Sequence, residues 1–309
     1  MPAVNIGQAM IPQGFQALRN EKGTAPGLLY HQEGKSFIIL PGVPHEMSWL
    51  MEKWVLKELK KKYKNKLGAV IRHRTLLTTG IGESVLSEKI GDVKNFLEKG
   101  ATLAYLPKTS GVRLRISVRD SSEKSAKAKV ARIEKYIRER AGNNIFGSEN
   151  ETLEEKVFEL LKQNQATLST AESCTGGMLS MRITNVAGAS GVFEGGVISY
   201  QNKIKIKELS IPKELIETYG AVSKGCVIAM AEGAIKKFGT TFALSITGIA
   251  GPGGGTKEKP VGTVWISLAE NEKETTAKLF RFAGDRNIIR ERSADSALEM
   301  LRRRLMELP

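Results

Sequence analysis

Between residues 166 and 177 the chain reads A-T-L-S-T-A-E-S-C-T-G-G. The apolar first half predicts a buried strand over 166–170, and Gly176 and Gly177 open a helix over 178–184. Glu172, Ser173, Cys174 and Thr175 therefore fall on the turn between strand and helix. A nucleophile on such a turn sits beside several free backbone N–H groups, which can hold an anion or an oxyanion. The same residues also read as an ordinary capped helix start, because Ser and Thr are common N-caps.

A nucleophile needs a base. All three histidines, His31, His45 and His73, precede residue 150, so composition excludes a Ser-His-Asp triad or a Cys-His pair in the second half of the chain. The base there has to be Lys, Tyr, Asp or Glu. Lys205 stands five residues after Tyr200, just past a predicted strand. A lysine desolvated in a cleft can lose its proton and activate a serine. The run K-I-K-I-K over 203–207 fits an exposed surface lysine as well. The loop T-G-I-A-G-P-G-G-G over 247–255 lacks both the Gly-Lys-Ser/Thr ending of a P-loop and the spacing G-x-G-x-x-G. Its many N–H groups, Gly248 and Gly251 among them, suit a phosphate, and they suit a plain surface loop too.

The elements that must carry these residues follow from periodicity. Over 151–309, helices at 153–163, 178–184, 224–238 and 286–306 alternate with strands at 166–170, 195–200, 242–246, 262–268 and 277–282. This predicts a three-layer α/β/α domain with a mainly parallel sheet, whose ligands bind at the carboxyl ends of the strands. Residues 69–148 predict a small α+β domain with strands at 70–78, 101–105 and 112–118 and helices at 83–98 and 122–141. A hairpin turn falls at 108–111, and the segment shows no catalytic constellation. Residues 1–68 hold N-I-G-Q-A-M-I-P (5–12), G-T-A-P-G (23–27), one clear strand at 36–40 and one clear helix reaching 59. One strand and one helix cannot bury a core, so this segment reads as the tail end of a larger domain.

At 309 residues and 41% hydrophobic, the chain is long enough for two or three globular domains. No apolar run is long enough to span a membrane, and the N-terminus lacks a signal-peptide pattern, so a cytoplasmic location is expected. Two cysteines, Cys174 and Cys226, make no disulfide framework, and no clustered metal-ligand pattern occurs; neither a metal nor a cofactor is expected. The net charge of +14 raises nucleic acid as a partner, but its densest runs, 57–66 and 302–304, read as solvated helix ends. Neither run is interleaved with aromatic side chains as a base-stacking surface would be, so nucleic acid is not the expected partner. A positive field also draws phosphorylated metabolites.

In order, A-E-S-C-T-G-G, G-V-I-S-Y-Q-N-x-x-K, Y-G-A-V-S (219–223), S-I-T-G-I-A-G-P-G-G-G, K-P-V-G-T-V-W (259–265) and A-G-D-R (283–286) closely resemble the C-terminal domain of the CinA family, the nicotinamide-nucleotide amidases. The rest of the chain resembles the same family. G-T-A-P-G and L-P-G-V-P-H-E-M look like the end of its molybdopterin-binding-like α/β domain, which makes 1–68 the remnant of that domain, while 78–84 and 105–115 look like its middle domain. The resemblance implies deamidation of nicotinamide mononucleotide to nicotinate mononucleotide and ammonia, without metal. It implies Ser173 as nucleophile, Lys205 as base and Tyr200 as the residue orienting the pair by hydrogen bonding. Amides of Thr175, Gly176 and Gly177, or of Thr247 and Gly248, would hold the oxyanion. Glu172, Thr247 and Gly251 join them in the expected substrate site, with Arg286 or Arg290 on the phosphate.

The family's first domain carries a G-D-E-type loop and a T-G-G-L-G-P-T-type loop that this chain does not show. The metal-dependent ADP-ribose pyrophosphatase activity associated with that domain is therefore expected to be absent. An incomplete first domain would expose apolar surface, so self-association, as a dimer, is expected. The readings left beside the amidase are a nucleic-acid-associated protein without enzymatic activity and an amidase for another small carboxamide.

Overall fold

The computed structural model describes residues 10–63, 68–93, 96–109 and 111–308. The first part of the N-I-G-Q-A-M-I-P segment (5–9), Lys64 and Lys66 of the basic run, residues 94–95 of the helix expected at 83–98 and Ser110 of the hairpin turn lie outside the described residues. The chain forms two compact units, 1–70 and 71–309.

The first unit holds strands β1 (Gln16–Leu18), β2 (Gly27–Gln32) and β3 (Lys35–Ile39), antiparallel in that order, then helix α1 (Pro44–Leu50), a π-helical turn (Met51–Val55) and α2 (Leu56–Tyr63). Only β3 and the helix were legible in advance, since β1 spans three residues and neither β1 nor β2 has a clean alternating pattern. Leu18, Leu29, Leu50 and Val55 form its buried core, while Phe37, Ile39, Val43, Met47 and Trp54 stay exposed.

In the second unit, β4 (Val70–Thr78), α3 (Glu83–Ile90), β5 (Ala101–Lys108), β6 (Gly111–Asp120), α4 (Glu123–Ala141) and β7 (Ile145–Ser148) build a four-stranded sheet ordered β5-β6-β4-β7. Strand β6 buries Val112, Leu114, Ile116 and Val118 and leaves Arg113 and Arg115 in water, the one-sided sheet that its alternation predicts. Strand β7, four residues long, was not foreseen.

The remaining elements are α5 (Leu153–Gln163), β8 (Leu168–Glu172), α6 (Met178–Thr184), β9 (Phe193–Ile198), α7 (Asn202–Leu209), α8 (Lys213–Tyr219), α9 (Lys224–Phe238), β10 (Phe242–Gly248), β11 (Thr263–Glu270), β12 (Thr276–Arg281) and α10 (Arg286–Met306). Their sheet runs β12-β11-β10-β8-β9. Strands β9, β8 and β10 pair in parallel, whereas β11 runs against both β10 and β12. The sheet is thus mixed: one strand opposes the common direction, and only the three strands nearest β8 form parallel ladders. Helices α5, α6 and α10 cover one face over Leu168, Leu244, Ile246 and Ile266. Helices α7, α8 and α9 cover the other over Ala171, Ala243 and Ala269, small residues that let helices approach closely. The three-layer α/β/α arrangement is therefore present. Among the described residues, no helix is long and apolar enough to cross a membrane.

Candidate active site

Strand β8 ends at Glu172, and the chain turns through Ser173–Gly177 into α6. Gly176 and Gly177 have φ of +59° and +94°, the left-handed region that side chains with a Cβ rarely adopt. Two such residues in succession let the chain reverse tightly and leave α6 without a side-chain cap from its own N-cap residue. Glu172, the last residue of β8, supplies that cap. Its carboxyl oxygens accept from the N–H groups of Gly177 (3.0 Å), Leu179 (3.1 Å) and Ser180 (2.8 Å) and from the Ser180 hydroxyl (2.6 Å). Glu172 was expected among the substrate ligands; it is instead fully buried, with its hydrogen-bonding capacity spent inside the protein. The same geometry removes two expected oxyanion donors, because Gly177 N–H serves Glu172 and Gly176 N–H donates to the Ser173 carbonyl at 3.1 Å.

The Cys174 and Thr175 N–H groups have no main-chain acceptor among the described residues. Thr175 Oγ1 is likewise buried and unpartnered. A further donor comes from β10. Ile249 N–H donates to Thr263 O, and alternation in an antiparallel ladder then turns the Gly248 N–H away from β11, toward the β8 side where Ser173 lies.

Lys205 lies on α7, a helix the sequence did not reveal. Helical spacing puts Lys205 and Leu209 inward and leaves Lys203 and Lys207 in water. The exposed-lysine reading of K-I-K-I-K is therefore wrong at this position: Lys205 is 1% exposed. Its Nζ lies 3.0 Å from Ser173 Oγ and donates to the main-chain carbonyls of Ser199 (2.5 Å) and Tyr200 (3.2 Å). Burial pushes its pKa down, and among the described residues no carboxylate pairs with it to hold the proton on. The neighbouring thiol of Cys174 is pushed up to about 12 by burial, which makes it a poor competitor as nucleophile at neutral pH.

Tyr200 does not orient the pair through its phenol, as had been expected. The phenol is exposed and accepts from Arg286 Nη2 at 3.1 Å, and contact with Lys205 runs through the Tyr200 carbonyl. Arg286 also donates to the Gly251 carbonyl at 2.7 Å, tying α10 to the glycine loop. Arg290, one helical turn further on, directs Nε (3.2 Å) and Nη2 (2.6 Å) at the Thr175 carbonyl. Thr247 Oγ1 donates to the Ala221 carbonyl at 2.9 Å and is buried. Ser173, Lys205, Tyr200, Arg286 and Gly251 are thus linked by hydrogen bonds at the carboxyl ends of the parallel strands, and Arg290 joins them through the main chain of the turn at Thr175 and Gly176. The contributions that sequence reasoning missed, the carbonyls of Ser199 and Ala221, carry no side-chain signal. Two clefts of about 410 and 860 Å³ elsewhere in the second unit are lined by neither Ser173 nor Lys205.

The model of the CinA C-terminal domain matches residues 150–305, and that of the damage-inducible protein CinA KH domain matches 73–147. A CinA-like protein of Dictyoglomus thermophilum is 43% identical over 98% of this chain and 72% of its own length. A CinA-like protein of Kosmotoga olearia is 45% identical over 98% and 72%. Among solved structures, the competence/damage inducible protein CihA from Agrobacterium tumefaciens is 36% identical, with a TM-score of 0.49 over 50% of this chain and 94% of that one. Identity of this extent, running from the first unit through the Ser173 turn to α10, establishes that the chain belongs to the CinA family.

Proposed function

We propose that the chain hydrolyses the carboxamide of nicotinamide mononucleotide, releasing ammonia and nicotinate mononucleotide through an acyl-enzyme on Ser173. The observation that carries this reading is the buried Lys205 amine 3.0 Å from Ser173 Oγ, with no carboxylate partner among the described residues. In the neutral amine, two N–H groups serve the Ser199 and Tyr200 carbonyls, so the lone pair is left for the Ser173 hydroxyl proton. Lys205 takes that proton as Oγ attacks the carboxamide carbon, then passes it to the departing ammonia. Water next attacks the ester while Lys205 accepts its proton and returns one to Oγ. The unpartnered N–H groups beside Ser173 are available for the oxyanion. Arg286, at the outer edge of the network, suits the substrate's phosphate.

The test is ammonia release from nicotinamide mononucleotide without added metal, comparing the wild-type protein with Ser173→Ala and Lys205→Ala. Turnover in the wild type, lost in both variants, supports the reading. A folded wild type that releases no ammonia removes this substrate.

A further inference from the structure

Arg290 reaches the nucleophile turn from the second turn of α10, across 115 residues of sequence, and its two donors converge on one main-chain oxygen, that of Thr175. That oxygen belongs to the planar peptide unit whose other end is the Gly176 N–H. The Gly176 N–H in turn donates to the Ser173 carbonyl at 3.1 Å. The Ser173 carbonyl shares its own planar unit with the Cys174 N–H, which has no main-chain acceptor among the described residues. A rigid relay of two peptide planes therefore runs from the guanidinium to the free N–H of the residue that follows the nucleophile. In nucleophile-elbow hydrolases, the N–H of that residue is an oxyanion donor.

We propose that Arg290 is a positioning residue that aims the Cys174 N–H at the oxyanion, and that it is not a ligand of the substrate's phosphate. The proposal rests on the Ser173 acyl-enzyme reading above. It gives a role to a guanidinium whose two donors meet a main-chain carbonyl directly before the left-handed Gly176. Arg286, by contrast, donates to the Tyr200 phenol and the Gly251 carbonyl and to no main-chain atom of the Ser173 turn among the described residues.

The two roles separate kinetically. Arg290→Ala and Arg290→Lys are compared with wild type on nicotinamide mononucleotide and on nicotinamide riboside, which lacks the phosphate. The rate at which a fluorophosphonate forms a P–O bond to Ser173 with loss of fluoride is measured in parallel. A positioning role lowers kcat by roughly 10- to 100-fold with little change in KM, by the same factor on both substrates, with labelling slowed to match and Lys partly restoring all three. A rise in KM confined to the phosphorylated substrate, with kcat and labelling intact, would overturn the proposal. Should Arg290→Ala fail to fold, Arg290→Lys decides by the same readouts. A wild type that labels at Ser173 but turns over neither substrate sinks the substrate assignment alone, and the labelling rates still judge Arg290. Absence of labelling at Ser173 in the wild type sinks both.

Discussion

Lys205 Nζ lies 3.0 Å from Ser173 Oγ, although 32 residues separate them and they sit on different elements. The Lys205 end rests on α7, whose first turn follows directly from β9, and the Ser173 end follows directly from β8. Because β8 and β9 pair in parallel, the two chain segments leave the sheet at the same edge. The pair is held by backbone on both sides: Ser199 N–H donates to the Glu172 carbonyl at 2.8 Å, and Lys205 returns to the Ser199 carbonyl at 2.5 Å.

Removing either partner should abolish turnover. Ser173→Ala and Lys205→Ala are each expected to lower kcat by about 10³-fold or more, and the double variant little further, because the two act as a unit. Lys205→Arg should not rescue, since a guanidinium cannot accept the hydroxyl proton. Steady-state ammonia release with intact-mass detection of the acyl-enzyme checks all of these.

Activity should depend on pH through Lys205. Burial lowers its pKa below the ordinary lysine range, and the neutral amine is the working base. Activity is therefore present above that lowered pKa and is lost as pH falls through it, giving an acid limb in kcat/KM. Lys205→Ala, assayed at high enzyme concentration, should lose this limb. An acid limb that persists unchanged in the variant would assign it to another group.

Glu172→Ala should behave as a stability variant. It strips acceptors from four donors at the buried start of α6, a loss of about 3 kcal/mol or more. Thermal or urea unfolding should show the drop, accompanied by a lower kcat as the Ser173 turn loosens. A variant with unchanged stability and a raised KM would return Glu172 to the substrate site.

Tyr200→Phe should leave the pH limb in place, because Lys205 meets the Tyr200 carbonyl and not its phenol. The variant frees Arg286 Nη2 from the phenol, so the expected effect is a KM change of a few-fold with kcat nearly intact. A shift of the acid limb in the pH–rate profile would show instead that the phenol acts on Lys205.

Local chemistry made part of this legible. The strand-turn-helix at 166–184 follows from an apolar run and two glycines, because left-handed backbone and helix starts are decided within a few residues. The α/β class followed from alternating periodicities, and the histidine positions alone removed a whole group of mechanisms. What the tertiary structure decided were the long-range matters. The segment N-K-I-K-I-K alternates with the period of a strand, and only packing of α7 against α9 and the sheet makes it a helix with Lys205 inside. The reversed direction of β11, the use of the Tyr200 carbonyl, the turning of Glu172 into α6 and the reach of Arg290 to Thr175 depend on partners distant in sequence or on main-chain atoms common to every residue. Residue type names a candidate nucleophile and a candidate base; burial, which sets the proton affinity of that base, comes from the rest of the fold.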